Sequence, residues 1–279
     1  MRIGFIGAGK LGNTFGKYFS VNGIEVSGYF SKSEVSAKEA SEFTGSKFFA
    51  SLEELVSSSD AIFLTVPDGA IKDVWNEIKD FSLKGKCICH TSGATNSLVF
   101  EGIDERGAFG YSIHPLFAVS SKHESFKTIS KAYISVEGSE KYLSYWKELF
   151  EGLGNTVCII SPENKTLYHA ACVFSSNLMI GLYQMGADLL KTCGFDDENA
   201  LKALAPLMQL NAENAAAKGP INALTGPVER GDSETVLHHL QVLPENAKEV
   251  YTLLSKELLK IAKEKNPGRD FEKLEDALQ

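Results

Sequence analysis

Six residues near the start constrain this chain more than any others. Gly7-Ala8-Gly9-Lys10-Leu11-Gly12 reads GxGxxG, follows the apolar run Arg2–Ile6 and opens the segment LGNTFGKYFS. Glycine spacing of this kind is common by itself; between a strand and a helix it marks a specific βα turn. The first glycine permits the tight turn, the second lets backbone approach a pyrophosphate, and the third lets helix pack on strand. Free N–H groups at the positive end of the helix dipole then hold the anion. The expectation is a dinucleotide-binding sheet with Gly7, Gly9, Lys10, Leu11 and Gly12 at the phosphates.

The residues that follow alternate short apolar runs with helical segments. Strands are predicted over Arg2–Ile6, Glu25–Phe30, Lys47–Phe49, Ala61–Val66, Lys86–His90, Gly107–Ile113, Ala132–Val136 and Thr156–Ile160. Runs such as AIFLTV are apolar on successive residues, as in parallel strands buried on both faces. Helices are predicted between them, over Leu11–Val21, Ser33–Phe43, Leu52–Ser57, Ala70–Lys79 and Glu140–Leu149. This alternation implies an α/β fold, a doubly wound sheet of the Rossmann type.

The pattern changes at Ser161-Pro162-Glu163, a helix start, and no strand is predicted beyond it. Leu167, Ala171, Phe174, Leu178, Gly181, Met185 and Leu189 keep one helical period, which predicts a single long, central helix. Further helices are expected over Asp197–Ala217, Glu234–Leu240, Glu245–Lys265 and Phe271–Leu278, giving an all-α C-terminal domain. A chain of 279 residues suits two domains, and the boundary is expected near residue 160, with residues 1–160 binding the cofactor and 161–279 serving substrate and dimerisation.

The tip of the second strand bears on which cofactor that is. NAD enzymes place Asp or Glu there for the ribose hydroxyls, whereas this chain reads Tyr29-Phe30-Ser31-Lys32-Ser33. A lysine between two serines suits a 2′-phosphate, so Ser31, Lys32 and Ser33 are expected to bind NADP. Ser31-x-x-Glu34 also reads as a capping box for the next helix. Val66-Pro67-Asp68 and His90-Thr91-Ser92-Gly93 end the fourth and fifth strands, where α/β sheets bind ligands; Val66, Pro67, Asp68 and Ser92 are expected beside the nicotinamide half.

The formal net charge of −8 disfavours a nucleic-acid partner. No stretch has the length and apolarity of a membrane span. The chain opens directly into a strand, so no signal peptide is expected, and a cytoplasmic location follows. Five scattered cysteines are expected as reduced thiols. Cys87 and Cys89 read as facing opposite sides of their strand, which argues against a shared metal or a disulfide. His238-His239 are adjacent on a helix and diverge, so no catalytic metal is expected.

Several motifs together carry a family resemblance: GAGKLG, HTSGA at 90–94, HPL at 114–116, LYHAACVFSSN at 167–177 and LTGPVERGD at 224–232. The chain resembles the superfamily of 6-phosphogluconate, 3-hydroxyisobutyrate and prephenate dehydrogenases, ketopantoate reductase and pyrroline-5-carboxylate reductase. More narrowly, it is similar to a bacterial group of Rossmann-like proteins provisionally named NADP oxidoreductases. The resemblance implies a Rossmann domain followed by a helical domain and a nicotinamide cofactor. His114-Pro115 is similar to the His-Pro of prephenate dehydrogenases, where the histidine meets the substrate hydroxyl. A histidine of near-neutral pKa can donate a proton as hydride addition charges the substrate oxygen.

On the long helix, His169, Val173 and Asn177 repeat every four residues and are expected on one face. Ketopantoate reductase-like enzymes carry a lysine and asparagines at this spacing; here His169 stands at the lysine position, and Lys165 reads as a first-turn surface residue. Thr225-Gly226-Pro227 resembles the Thr-Ser-Pro stretch that holds substrate in pyrroline-5-carboxylate reductases. Arg230 reads equally as a carboxylate ligand or as a partner of Asp232 or Glu229.

The expected active site lies in the cleft between the domains, with His114, His169, Asn177 and Thr225. The function read from these residues is an NADP-dependent oxidoreductase acting on a small carbonyl, hydroxy-acid or imine substrate bearing a carboxylate. The rival reading is an NADP(H)-binding redox sensor without turnover. A helix apolar on so many faces predicts a homodimer built on the helical domain.

Overall fold

In the computed structural model, which describes residues 1–279, strands and helices alternate as the apolar runs predict. The strands are β1 (Ile3–Ile6), β2 (Val26–Phe30), β3 (Lys47–Phe48), β4 (Ala61–Leu64), β5 (Cys87–His90), β6 (Phe109–Leu116), β7 (Tyr133–Gly138) and β8 (Thr156–Ile159). They form one sheet in the order β3-β2-β1-β4-β5-β6-β7-β8. Every pairing is parallel except β6 with β7, which is antiparallel and sets His114 opposite Ser135. The chain steps outward from β1 to β3 and then restarts at β4 on the other side of β1. That reversal opens a crevice at the carboxyl ends of β1 and β4, where doubly wound sheets bind ligands.

Helices α1 (Lys10–Val21), α2 (Glu34–Thr44), α3 (Leu52–Ser58), α4 (Ile71–Ile78) and α5 (Leu143–Gly152) connect the strands. Every residue of β1, β4 and β5 is buried, as their unbroken apolar runs require. Alternation sends Phe5, Phe63 and Tyr111 to one core with Phe15, Phe19 and Trp146, and Ile6, Leu64 and Ile88 to a second with Leu55 and Trp75. Cys87 and Cys89 both join the first core, on the same side of β5 rather than on opposite sides as expected. Side chains two apart on a strand share a face. All five cysteines are free thiols.

Two compact units divide the chain, Met1–Phe174 and Ser175–Gln279. The first therefore includes α6 (Lys165–Phe174), which packs with the sheet although it follows Pro162. The single long helix expected through residues 167–189 is two helices, α6 and α7 (Asn177–Thr192). Ser175 and Ser176 interrupt it; Ser176 has φ −131° and ψ −82°, outside the helical region, and its Oγ donates to Asn177 Oδ1 at 3.0 Å. Serines offer the backbone local alternatives to the helical ladder, and here two stand in succession. His169 therefore lies on α6 and Asn177 on α7, not on one helical face as expected.

The second unit is wholly helical: α7, α8 (Asp197–Ala223), α9 (Pro227–Arg230), α10 (Ser233–Val242), α11 (Glu245–Lys265) and α12 (Glu272–Ala277). Asp196 caps α8 by accepting from Asn199 N–H, and Asp232 caps α10 from Thr235 N–H. Val228, Val236, Leu240, Leu259, Phe271 and Leu274 form its core. In contrast, α7 and α8 each bury a single alanine and leave Leu178, Ile180, Leu207 and Leu210 exposed. No helix of the chain is long and apolar enough to cross a membrane.

Candidate active site

The glycine turn is shaped for a close ligand. Gly7 has φ +108°, and a Cβ there would lie 2.6 Å from Thr65 O. At Gly12 a Cβ would meet Gly7 O and Thr65 Oγ1 at 2.6 Å, so helix and strand pack at glycine distance. Gly9, the residue before α1, has open space within 4 Å of the same position. Two side chains hold the turn. Asn13, 1% exposed, donates from Nδ2 to Ala8 O and Gly9 O, both at 2.9 Å. Thr65 Oγ1 donates to Gly7 O at 2.8 Å. The Asn13 contacts are invisible in the glycine pattern, because an asparagine in a first helical turn reads as an ordinary surface residue.

A cavity of about 420 Å³ opens at this turn, lined by Gly7, Ala8, Gly9, Ser31, Lys32, Thr65, Val66 and Pro67 among others. Lys10 is exposed and Leu11 half-buried at the start of α1. Ser33, not Ser31, caps α2, accepting from Ser36 N–H at 3.3 Å. The capping box read at Ser31 does not form; a simple serine cap at Ser33 replaces it, and Ser31 and Lys32 line the cavity. Asp68 and Ser92 meet each other: Ser92 Oγ donates to Asp68 Oδ2 at 2.7 Å and accepts from Ala94 and Thr95 N–H. They tie the loops after β4 and β5 together.

Beyond that tie lies a cluster of titratable groups, all within the first unit. His90 is fully buried at the end of β5. Its Nδ1 accepts from Ser92 N–H at 3.2 Å, so Nε2 carries the hydrogen and donates to Asn96 O at 3.1 Å. Burial pushes its pKa down to about 4, which keeps the ring neutral. His114, on β6, shares a 2.7 Å hydrogen bond between Nδ1 and the Tyr168 hydroxyl of α6. Its pKa falls to about 3, first through burial and then through the positive charge of Lys165. Gly93 sits against the far side of this ring: a Cβ there would come within 2.9 Å of both His114 Nε2 and His169 Cδ2. The structure thus brings His114, Tyr168 and His169 together around the Gly93 loop.

Lys165 is the residue the sequence reading misplaced. It is 1% exposed, not a surface residue, and its Nζ has no hydrogen-bond partner. The ammonium lies 5.0 Å from the centre of the Tyr168 ring. Burial pushes its pKa down to about 8, against the opposing charges of Glu137, Cys172 and Asp68. Spacing alone contained the signal, since four residues is just over one helical turn and Lys165 shares a face with His169. Asn177 and Thr225 belong to the second unit. Asn177 begins α7, and Thr225 is exposed just before Gly226, whose φ of +101° starts α9. Arg230 stands 4.0 Å from Asp232, while Glu229 is taken by Asn266 and Arg269.

Residues 1–115 match the model of the Rossmann-like domain, and residues 132–258 match DUF2520, a domain of unknown function. The chain joins a Rossmann-like domain to a DUF2520 domain. The DUF2520 match begins one residue before β7, so β7, β8 and α6 go with the helices by sequence and with the sheet by packing. No curated relative matches the chain.

Among solved structures, protein TM1727 of Thermotoga maritima is 25% identical, with a TM-score of 0.75 over 95% of this chain and 99% of its own. BF3122 of Bacteroides fragilis, provisionally named an NADP oxidoreductase, is 22% identical, with a TM-score of 0.69 over 93% and 98%. A reductive aminase of Aspergillus terreus, in complex with NADPH and ethyl-5-oxohexanoate, is 18% identical, with a TM-score of 0.66 over 100% and 99%. These likenesses show the fold expected from the motifs, a Rossmann domain followed by a helical one.

Proposed function

We propose that this chain is an NADP-dependent oxidoreductase that acts on a small carbonyl, hydroxy-acid or imine substrate. The reading is carried by one observation: a neutral His114 bonded to Tyr168 beside a buried, unpaired Lys165, on the sheet that also bears the glycine turn. The residues present suit the cofactor. Open space at Gly9, the first-turn N–H groups of α1 and the cavity at Ser31 and Lys32 match a pyrophosphate and a ribose phosphate. Two proteins of this fold, the reductive aminase and BF3122, are tied to NADPH or NADP by name, which supports the choice. When bound, the nicotinamide supplies or accepts the hydride.

The chain's own part is the proton. His114 Nε2, which lies at the Gly93 loop, is proposed to give a proton to substrate. Tyr168 can pass its hydroxyl proton to Nδ1 across the 2.7 Å bond, and the Lys165 ammonium above its ring offsets the negative charge left on the phenolic oxygen. His169, against the same glycine, is proposed to border the substrate. The exposed apolar residues of α7 and α8 support a homodimer; a sedimentation profile showing only monomer at micromolar concentration would count against it.

The cofactor reading is tested by titrating NADPH and NADH into the protein and into Lys32→Ala. Loss of the 2′-phosphate contact should weaken NADPH by about tenfold, the worth of a charge-assisted contact, and leave NADH nearly unchanged. Equal losses for both would remove Lys32 from phosphate recognition. Tight NADPH binding with no oxidation across a broad panel of carbonyls and imines would favour a sensor.

A further inference from the structure

Two charged residues, Glu137 of β7 and Lys165 of α6, are buried in the first unit, and neither is spent on a direct ion pair. On β7, Ser135 and Glu137 are two residues apart and share a face. On α6, Lys165 and Tyr168 are three apart and share a face. Tyr168 bonds the ring of His114, which stands opposite Ser135 in the β6–β7 register. Glu137 lies one step further along that strand face, and Lys165 lies about one turn before Tyr168 on α6. Their charges act on each other, each favouring the ionised form of its partner.

Glu137 is fully buried, and one serine takes both of its oxygens. Ser97 N–H donates to Oε1 at 2.8 Å and Ser97 Oγ to Oε2 at 2.7 Å, an arrangement that suits a carboxylate. The neighbouring Asn96 donates from Nδ2 to Pro162 O at 3.4 Å, so the same loop reaches the chain just before α6. Lys165 Nζ remains without a hydrogen-bond partner. We infer that Glu137 is a positioning residue for Lys165: clamped by Ser97, its carboxylate holds the buried amine in the ammonium form without consuming its hydrogens. The inference rests on the proposed chemistry only for its catalytic meaning. The other charges at Lys165 come from Asp68, itself bonded to Ser92, and from Cys172 on its own helix; His90 and His114 are neutral neighbours, and Glu163 lies near Glu137.

The test reads Lys165 directly and needs neither cofactor nor substrate, so it stands apart from any failure of the oxidoreductase reading. Protein labelled with ¹³C-lysine is titrated, and the Lys165 Cε signal is assigned by its loss in Lys165→Arg. In Glu137→Gln the midpoint should fall by about one pH unit or more, a tenfold loss of proton affinity. An unchanged midpoint in a variant with native spectra and unchanged melting temperature overturns the inference. Should Glu137→Gln fail to fold, the reciprocal measurement decides. In ¹³C-glutamate-labelled Lys165→Met the Glu137 carboxyl midpoint should rise, because coupling between two sites is mutual. An unmoved Glu137 midpoint overturns the inference equally.

Discussion

Replacing Lys165 with methionine should make this protein more stable and less active. The side chain is 1% exposed, and its ammonium has no hydrogen-bond partner. A fall in pKa from 10.5 to about 8 means that the folded state carries the protonated lysine at a cost of about 3 kcal/mol relative to the unfolded chain. Methionine is unbranched and similar in length, and it fills the same space without a charge. The variant should therefore gain about 3 kcal/mol at pH 7, or roughly 6–12 °C in melting temperature for a unit of this size.

The pH dependence gives the sharper check. Below about pH 8 the lysine is protonated in both states, and the whole penalty is present. Between about pH 8 and 10.5 the folded lysine releases its proton first, so wild-type stability climbs toward that of the variant. Above that range the amine is neutral in both states and the charge contribution to the difference is gone. Urea unfolding of both proteins from pH 6 to 11 measures this. A variant no more stable than wild type at pH 7, or a gap that does not narrow between pH 8 and 10.5, would refute the reasoning. NADPH affinity should survive while turnover falls, the pattern of a group kept for function at the expense of stability.

Two further perturbations probe the turn and the cluster. Asn13→Ala removes two buried donors to Ala8 O and Gly9 O and should cost about 2 kcal/mol in urea unfolding, with weaker NADPH binding because the turn loosens. Unchanged stability would mean that the turn holds itself. Gly93→Ala puts a Cβ within 2.9 Å of the His114 and His169 rings; NADPH affinity should stay within about twofold while the ring signals of both histidines shift, as expected of a local steric change. Unshifted rings would separate the Gly93 loop from this site.

The order of strands and helices and the glycine turn were legible in the sequence, because each depends on residues close together in the chain. A strand buried on both faces must be apolar throughout, and a pyrophosphate turn must spare its Cβ atoms at fixed positions. The helix break at Ser175-Ser176 was not legible, since the apolar period runs straight through it. The antiparallel turn of β7 was also hidden: a short apolar strand reads alike in either direction, although that direction sets His114 opposite Ser135.

The sequence by itself determined the fold class and the glycine turn, through local periodicity and glycine spacing. Only the tertiary structure decided which titratable residues act together. Whether Lys165 is a solvated surface cation or a buried one of lowered pKa depends on Tyr168 beneath it and on the charge of Glu137. Glu137 lies 28 positions away in the chain, and burial and charge act through space.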